Sequence, residues 1–108
     1  MKYALLAYSP TDVEQRGPIP AEIAEALVRP NVLSWARLQP AGSATSISSP
    51  DGKTLLTDGP FVDSKEYLGG LIVIEAANLD EALAVATELQ GLMRSGGGIE
   101  VRPILEDG

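Results

Sequence analysis

The residues able to do chemistry gather in three places. An Asp58-Gly59-Pro60-Phe61 turn is followed by the adjacent Lys65 and Glu66, Glu100 and Arg102 stand two residues apart near the end, and Tyr8 and Tyr67 carry phenols. A carboxylate set against apolar walls can have its pKa raised toward neutrality, which makes Asp58 and Glu66 candidates for acid–base work. An aspartate before Gly-Pro can equally accept the backbone N–H groups of its own turn, a structural role. Lys65 can hold an anionic ligand, pair with Asp58 or Asp63, or stand as an ordinary solvated cation. Ser64 beside Lys65 has the composition of a Ser–Lys pair, but adjacent residues of an extended chain point to opposite faces and do not form a dyad. Glu100 and Arg102 share one face of an extended segment, within reach of each other or of a ligand carboxylate. Tyr8 and Tyr67 can line the same cavity, or simply pack.

What is missing narrows the chemistry further. The 108 residues include no His and no Cys. Disulfides, thiolate zinc sites, thiol nucleophiles and the commonest general base are therefore absent together. Metal binding is left to carboxylates, and no Asp/Glu spacing matches a calcium loop, so no metal is expected. The Gly96-Gly97-Gly98 run lacks a following Lys-Ser/Thr and leads into a strand, so it reads as a turn and not as a phosphate loop. No glycine fingerprint between a strand and a helix calls for a dinucleotide, and no cofactor is expected.

Fifteen Asp or Glu against eight Lys or Arg leave a formal charge of -7, with the cations scattered. That balance opposes nucleic acids and anionic membrane surfaces. The longest apolar stretch, Leu71 to Ile74, is far below the ~20 residues that span a bilayer. The opening apolar run stops at Ser9-Pro10, too soon for the hydrophobic region of about 7–15 residues in a secretory leader. A cytoplasmic chain is expected. With 44% hydrophobic residues and no long linker, residues 1–108 are expected to form a single domain.

The elements that must position these residues can be read along the chain. Lys2 to Tyr8 suits a strand that is apolar on both faces. Between Gly17 and Pro40 the signals are helical but broken by prolines, with Ile23, Leu27 and Val28 as an apolar stripe and Val32 to Leu38 as a second helical piece or an extended arm. Trp35, the one tryptophan, reads as an anchor for that segment or as a ligand-stacking ring. Ser43 to Ser48 and Lys53 to Thr57 flank Asp51-Gly52 as a hairpin, and Phe61 after the next turn reads as a core plug. Leu71-Ile72-Val73-Ile74 is a two-sided apolar strand whose preceding Gly69-Gly70 predicts a bulge or a close backbone approach. Asn78 and Glu81 open a helix carrying Leu79, Ala82, Leu83, Ala86 and Leu89, with Arg94 beyond its end, and Ile99 to Leu105 closes the chain as a strand.

The resulting order predicts an α+β fold, a ferredoxin-like βαββαβ sandwich with both helices on one side of an antiparallel sheet. One sheet face is then left bare, although two of its strands are apolar on both sides. With no third helix to cover it, a second copy packing face to face is the economical solution.

The segment Leu55 to Gly70, LLTDGPFVDSKEYLGG, resembles the signature of the YCII-related proteins of the DGPF type. Further agreement lies in Lys2-Tyr3 with Leu5-Leu6, Leu38-Gln39-Pro40 with Ala44-Thr45, Leu79-Asp80-Glu81-Ala82 and Glu100-Val101-Arg102-Pro103. Residues 10 to 37 depart from it, because Pro18, Pro20 and Pro30 interrupt what is usually one longer helix. The resemblance implies a ferredoxin-like fold that forms a dimeric α+β barrel, no settled activity, and a regulatory or stress setting, since similar proteins are often encoded beside alternative sigma factors of the extracytoplasmic-function type. The His–Asp pair proposed for acid–base work in a more distant enzyme-like branch has no counterpart in a chain without histidine.

Three functions are consistent with these residues. The first is a homodimer that binds a small polar or anionic organic ligand, with Asp58, Lys65 and Arg102 as polar contacts and Tyr8 and Glu100 beside them. The second is a small cofactor-free enzyme using Asp58 or Glu66 for proton transfer. The third is a protein-interaction dimer whose Asp58 turn is architectural.

Overall fold

The two segments that are apolar on both sides become the inner strands of the sheet. In the computed structural model, which describes residues 1–12, 17–62, 65–93 and 96–106, β1 (Lys2–Ser9) lies between β5 (Tyr67–Glu75) and β6 (Ile99–Pro103). β2 (Val32–Arg37) pairs with the outer side of β5, so that the order is β2-β5-β1-β6 and every pairing is antiparallel. The remaining strands, β3 (Thr45–Ser48) and β4 (Leu55–Asp58), form a separate two-stranded hairpin. Two helices, α1 (Ala21–Leu27) and α2 (Leu79–Leu92), complete an α+β architecture.

Alternation along the inner strands decides what each face presents. Tyr3 sits opposite Ile74 and Leu5 opposite Ile72; on this face Tyr3, Leu5 and Ile74 are almost fully buried against Ala26 of α1 and Ala82, Ala86 and Leu89 of α2. The helices meet the sheet through alanines, which allow close approach without a cavity beneath each contact. On the other face Ala4 sits opposite Val73 and Leu6 opposite Leu71, with Arg102 and Glu100 completing the two rows on β6. No helix covers that face among the described residues.

Local signals explain most element boundaries. The Asn78 carboxamide oxygen accepts from the Glu81 N–H at 2.9 Å and starts α2, as the Asn-to-Glu spacing predicts. Pro20 stands at the N-cap of α1, which ends seven residues later just before Val28, with Pro30 close behind. The hairpin turns at Pro50–Gly52, where Asp51 and Gly52 both adopt positive φ. Such a turn is served well by Asp-Gly because the second residue has no Cβ to clash.

One alternative is decided and one expectation is corrected. Of the two readings of the Val32 to Leu38 segment the extended one holds, with Val32–Arg37 an edge strand in which Arg37 pairs with Gly70 and Trp35 with Ile72. Phe61 does not plug the core: it is 76% exposed at the base of the hairpin, beside Val62, while Ile47 and Leu56 are exposed opposite each other on the arm. The hairpin pairs with neither edge of the main sheet, and the Cα radius of gyration is 15.5 Å. A compact chain of about 100 residues would have roughly 13 Å.

Candidate functional site

Tyr8 is held by the backbone on both sides. Against β5 the register shifts between Ala7, which faces Gly70, and Tyr8, which faces Leu68, so Gly69 is the extra residue of a bulge. This is the irregularity that Gly69-Gly70 predicts, and Gly70 also makes the close approach, since a Cβ there would lie 3.1 Å from the Ala36 carbonyl oxygen. On the β6 side the Tyr8 N–H donates to the Gly98 carbonyl at 2.9 Å. A Cβ on Gly97 would fall 1.7 Å from the Tyr8 carbonyl oxygen, so that position requires glycine. Gln90 Nε2 donates to the Gly97 carbonyl at 3.0 Å and ties the same turn to α2. The Gly96–Gly98 run is thus a bracket for Tyr8.

Around Tyr8 lie three depressions, and Tyr8 lines all of them. The largest is an open cleft of about 620 Å³, with Tyr67, Leu68 and Glu66 on one side, the Leu38–Ala44 segment on another, and Pro60 and Val62 at the hairpin base. That segment is fastened by Asp12, whose carboxylate accepts from the N–H groups of Ala41 at 2.9 Å and Gly42 at 3.4 Å. A shallower depression joins Tyr8 and Glu66 to Glu100, Gly98 and Ile99. Tyr8, Glu66 and Glu100, widely separated in sequence, are therefore brought together, and Tyr67 joins them.

The remaining candidates stand differently. Arg102 is ion-paired with Glu100 on β6, the in-strand pair that their spacing predicts. Asp58 ends β4 opposite Thr45 and is exposed, and Lys65 is exposed in the bend before β5; neither lines any of the three depressions. Among the described residues no hydrogen bond or ion pair reaches the side chain of either. The turn at Asp58 is closed instead by Gly59, at φ 95°: its N–H donates to the Ala44 carbonyl at 2.8 Å and its carbonyl accepts from Ser46 Oγ at 2.7 Å. Asp63, Ser64 and Arg94 lie outside the described residues.

The third depression is one that sequence reasoning missed. It is a cavity of about 210 Å³ between the sheet and the helices, floored by Ala7 and Gly70, walled by Ile23, Leu27 and Leu89, and flanked at β2 by Trp35 and Arg37. Its cause was visible in the prolines: a helix confined between Pro20 and Pro30 is too short to cover the whole sheet, and the strand positions beneath the gap are Ala and Gly. Arg37 donates to the Gly17 carbonyl at 3.0 Å, linking β2 to the segment before α1.

The strongest charge pairing joins the two helices, away from these depressions. Arg29, just after α1, makes two hydrogen bonds to Glu88 of α2, at 2.7 and 2.8 Å. The hydrogen bond to Arg29 holds the Glu88 carboxyl below its ordinary range, and the same bond raises the Arg29 guanidinium. This pair fastens the two helices together at the surface and touches none of the depressions. No group of three or more carboxylates converges as a metal site among the described residues, and no described helix is long and apolar enough to cross a membrane.

Comparison with known proteins places this geometry in a lineage. The chain is 44% identical over 69 residues to an uncharacterised protein of Rhizobium meliloti (strain 1021), a match covering 64% of this chain and 56% of that protein. This chain therefore matches little more than half the length of that relative. The YCII-related domain matches residues 1–106, taking in the sheet, both helices, the hairpin and the cleft around Tyr8, and on that coverage the chain belongs to the YCII-related domain family.

Proposed function

We propose that the protein is a homodimeric small-molecule-binding module on a ferredoxin-like plan, in which two copies pack their bare sheet faces into a dimeric α+β barrel. The order β2-β5-β1-β6, with both helices on one face, supports the plan once the β3–β4 hairpin is treated as an insertion between its second and third sheet strands. The observation that carries the assembly is the uncovered row of Ala4, Leu6, Leu71 and Val73. Burying a Leu or Val side chain fully contributes roughly 1.5–3 kcal/mol, so a face with three of them on each copy supplies a substantial drive to associate. The hairpin points the same way. An isolated two-stranded ribbon is marginally stable in water, and this one exposes Ile47 and Leu56 on one side.

The ligand site in this reading is the open cleft at the end of that face. Tyr8 follows Leu6 on the bare side of β1 and places a phenol where the apolar surface gives way to Glu66, Tyr67 and Glu100. Asp58 and Lys65 stand on the segment that brings Pro60, Val62 and Glu66 to the cleft wall, and Arg102 connects through Glu100. A small polar organic molecule, gripped by an apolar body contact and a few hydrogen bonds at the rim, fits this lining. A proton-transfer enzyme is the second reading, and the observation in its favour is that Glu66 lines both surface depressions beside Tyr8.

Sedimentation equilibrium at micromolar concentration is expected to give twice the chain mass, and Leu71→Asp to give folded monomers. Well-folded monomers of the unaltered chain at that concentration would remove the interface and the cleft assigned to it. For the ligand, a thermal-shift screen of small polar organic molecules is expected to yield stabilisers that lose their effect in Tyr8→Ala. Glu66→Gln separates the readings, since it retains a polar contact for binding but abolishes proton transfer.

A further inference from the structure

We infer that the cavity between α1, α2 and the sheet is a second binding site, for a small aromatic carboxylate, with the ring among the apolar walls and the carboxylate on Arg37. This site does not depend on the dimer or on the open cleft. Its walls are aliphatic: Ile23 and Leu27 come from α1, Leu89 and Met93 from α2 and its end, and Ile72 from β5. At about 210 Å³ it is smaller than the roughly 300–1,000 Å³ of sites for drug-sized ligands. That space suits one ring with a short side arm.

The charge of the ligand follows from Arg37. It is the one charged residue lining the cavity among the described residues. Arg29 and Arg102 each have a carboxylate partner, Glu88 and Glu100, whereas Arg37 donates to the uncharged Gly17 carbonyl. A guanidinium carries five N–H donors in a planar fork, so a carboxylate can be taken without breaking that contact. The net charge of -7 opposes an anion at long range, but surface charges more than about 8–10 Å away are largely screened at physiological salt, and the contact at Arg37 dominates. Trp35, beside Arg37 on the same strand and 42% exposed, supplies an indole face against which a ring stacks.

The unique tryptophan makes the test direct. Phenylacetate, 2-phenylethanol and phenethylamine share a ring and chain length and differ in charge. Titrating each into the full chain, phenylacetate is expected to change Trp35 emission saturably, with a midpoint on the order of 1 mM or below. The alcohol and the amine are expected to bind at least about tenfold more weakly, because they lose the charge-assisted contact. Arg37→Met is expected to erase the preference for the acid, and Ile23→Phe, which fills the cavity, to abolish the response. The proposal is overturned if the three probes bind alike, if no saturable change occurs by about 10 mM phenylacetate, or if Ile23→Phe binds as well as the unaltered chain. Should Arg37→Met fail to fold, the three-probe comparison on the unaltered chain still decides the matter.

Discussion

One sheet carries two apolar faces, and the chain treats them in opposite ways. On the helix side Tyr3, Leu5 and Ile74 are sealed by the alanines of α1 and α2. On the other side Ala4, Leu6, Leu71 and Val73 have similar hydropathy and no helix above them among the described residues. Apolar composition therefore states that a face needs cover without stating where the cover comes from. Neighbouring residues of one strand, Leu5 and Leu6, sit on either side of that divide.

The sharpest way to break the comparison is to truncate those neighbours. Leu5, at 0% exposure, should lose roughly 2–5 kcal/mol on conversion to alanine, and the loss should not vary with protein concentration. Leu6→Ala should show a loss that shrinks on dilution if the proposed dimer buries it, since association then contributes to its stability. Denaturant melts at two concentrations check both, and identical behaviour would erase the distinction between the faces.

Next in size is Gly97→Ala. Its Cβ would meet the Tyr8 backbone at 1.7 Å, so the β1–β6 end must shift, at a cost of about 3 kcal/mol. The variant should also lose any ligand response that depends on Tyr8. Substituting Gly98, which has open space at its Cβ position, is the control.

Much of this division was legible in the residues. The two-sided apolar segments became the inner strands, Gly69-Gly70 became a bulge, and Asn78 with Glu81 opened α2, because each is a local signal with one local solution. β2 was not legible. As an edge strand with most of its residues exposed, it has no buried row to impose an alternating pattern, and its Val32, Leu33 and Trp35 fall at spacings that a helix would also accept. Phe61 misled for a related reason: a large apolar residue signals burial, but on a projecting hairpin its cover is not part of the chain's own core. At the site, Tyr8, Glu66 and Glu100 were nominated from residue type and are brought together by topology. The helix-side cavity went unseen because space left by small residues and a short helix is a property of packing, written in no single side chain.

Two smaller effects test how the helix side is sealed. Asn78→Ala should cost about 1 kcal/mol through loss of the α2 cap, measurable as a shift in thermal midpoint. The Arg29–Glu88 pair should give the slightest effect of all. Because the Glu88 carboxyl is held below its ordinary range, the pair contributes stability above the unfolded glutamate pKa and loses it as pH falls through the depressed folded value. Glu88→Gln should therefore flatten the acid limb of the stability profile slightly and leave neutral-to-alkaline slopes alone, since Arg29, raised further, stays protonated there.

The hairpin also marks where the chain is most open to being cut. Its tip carries Lys53 on the exposed turn after Gly52, at the end of a ribbon that pairs with no other strand among the described residues. Exposed tips of this kind are where proteases nick first. Lys53 is consequently the expected first site of trypsin cleavage, and in the assembly proposed above the rate of that cut should fall as the chain is concentrated.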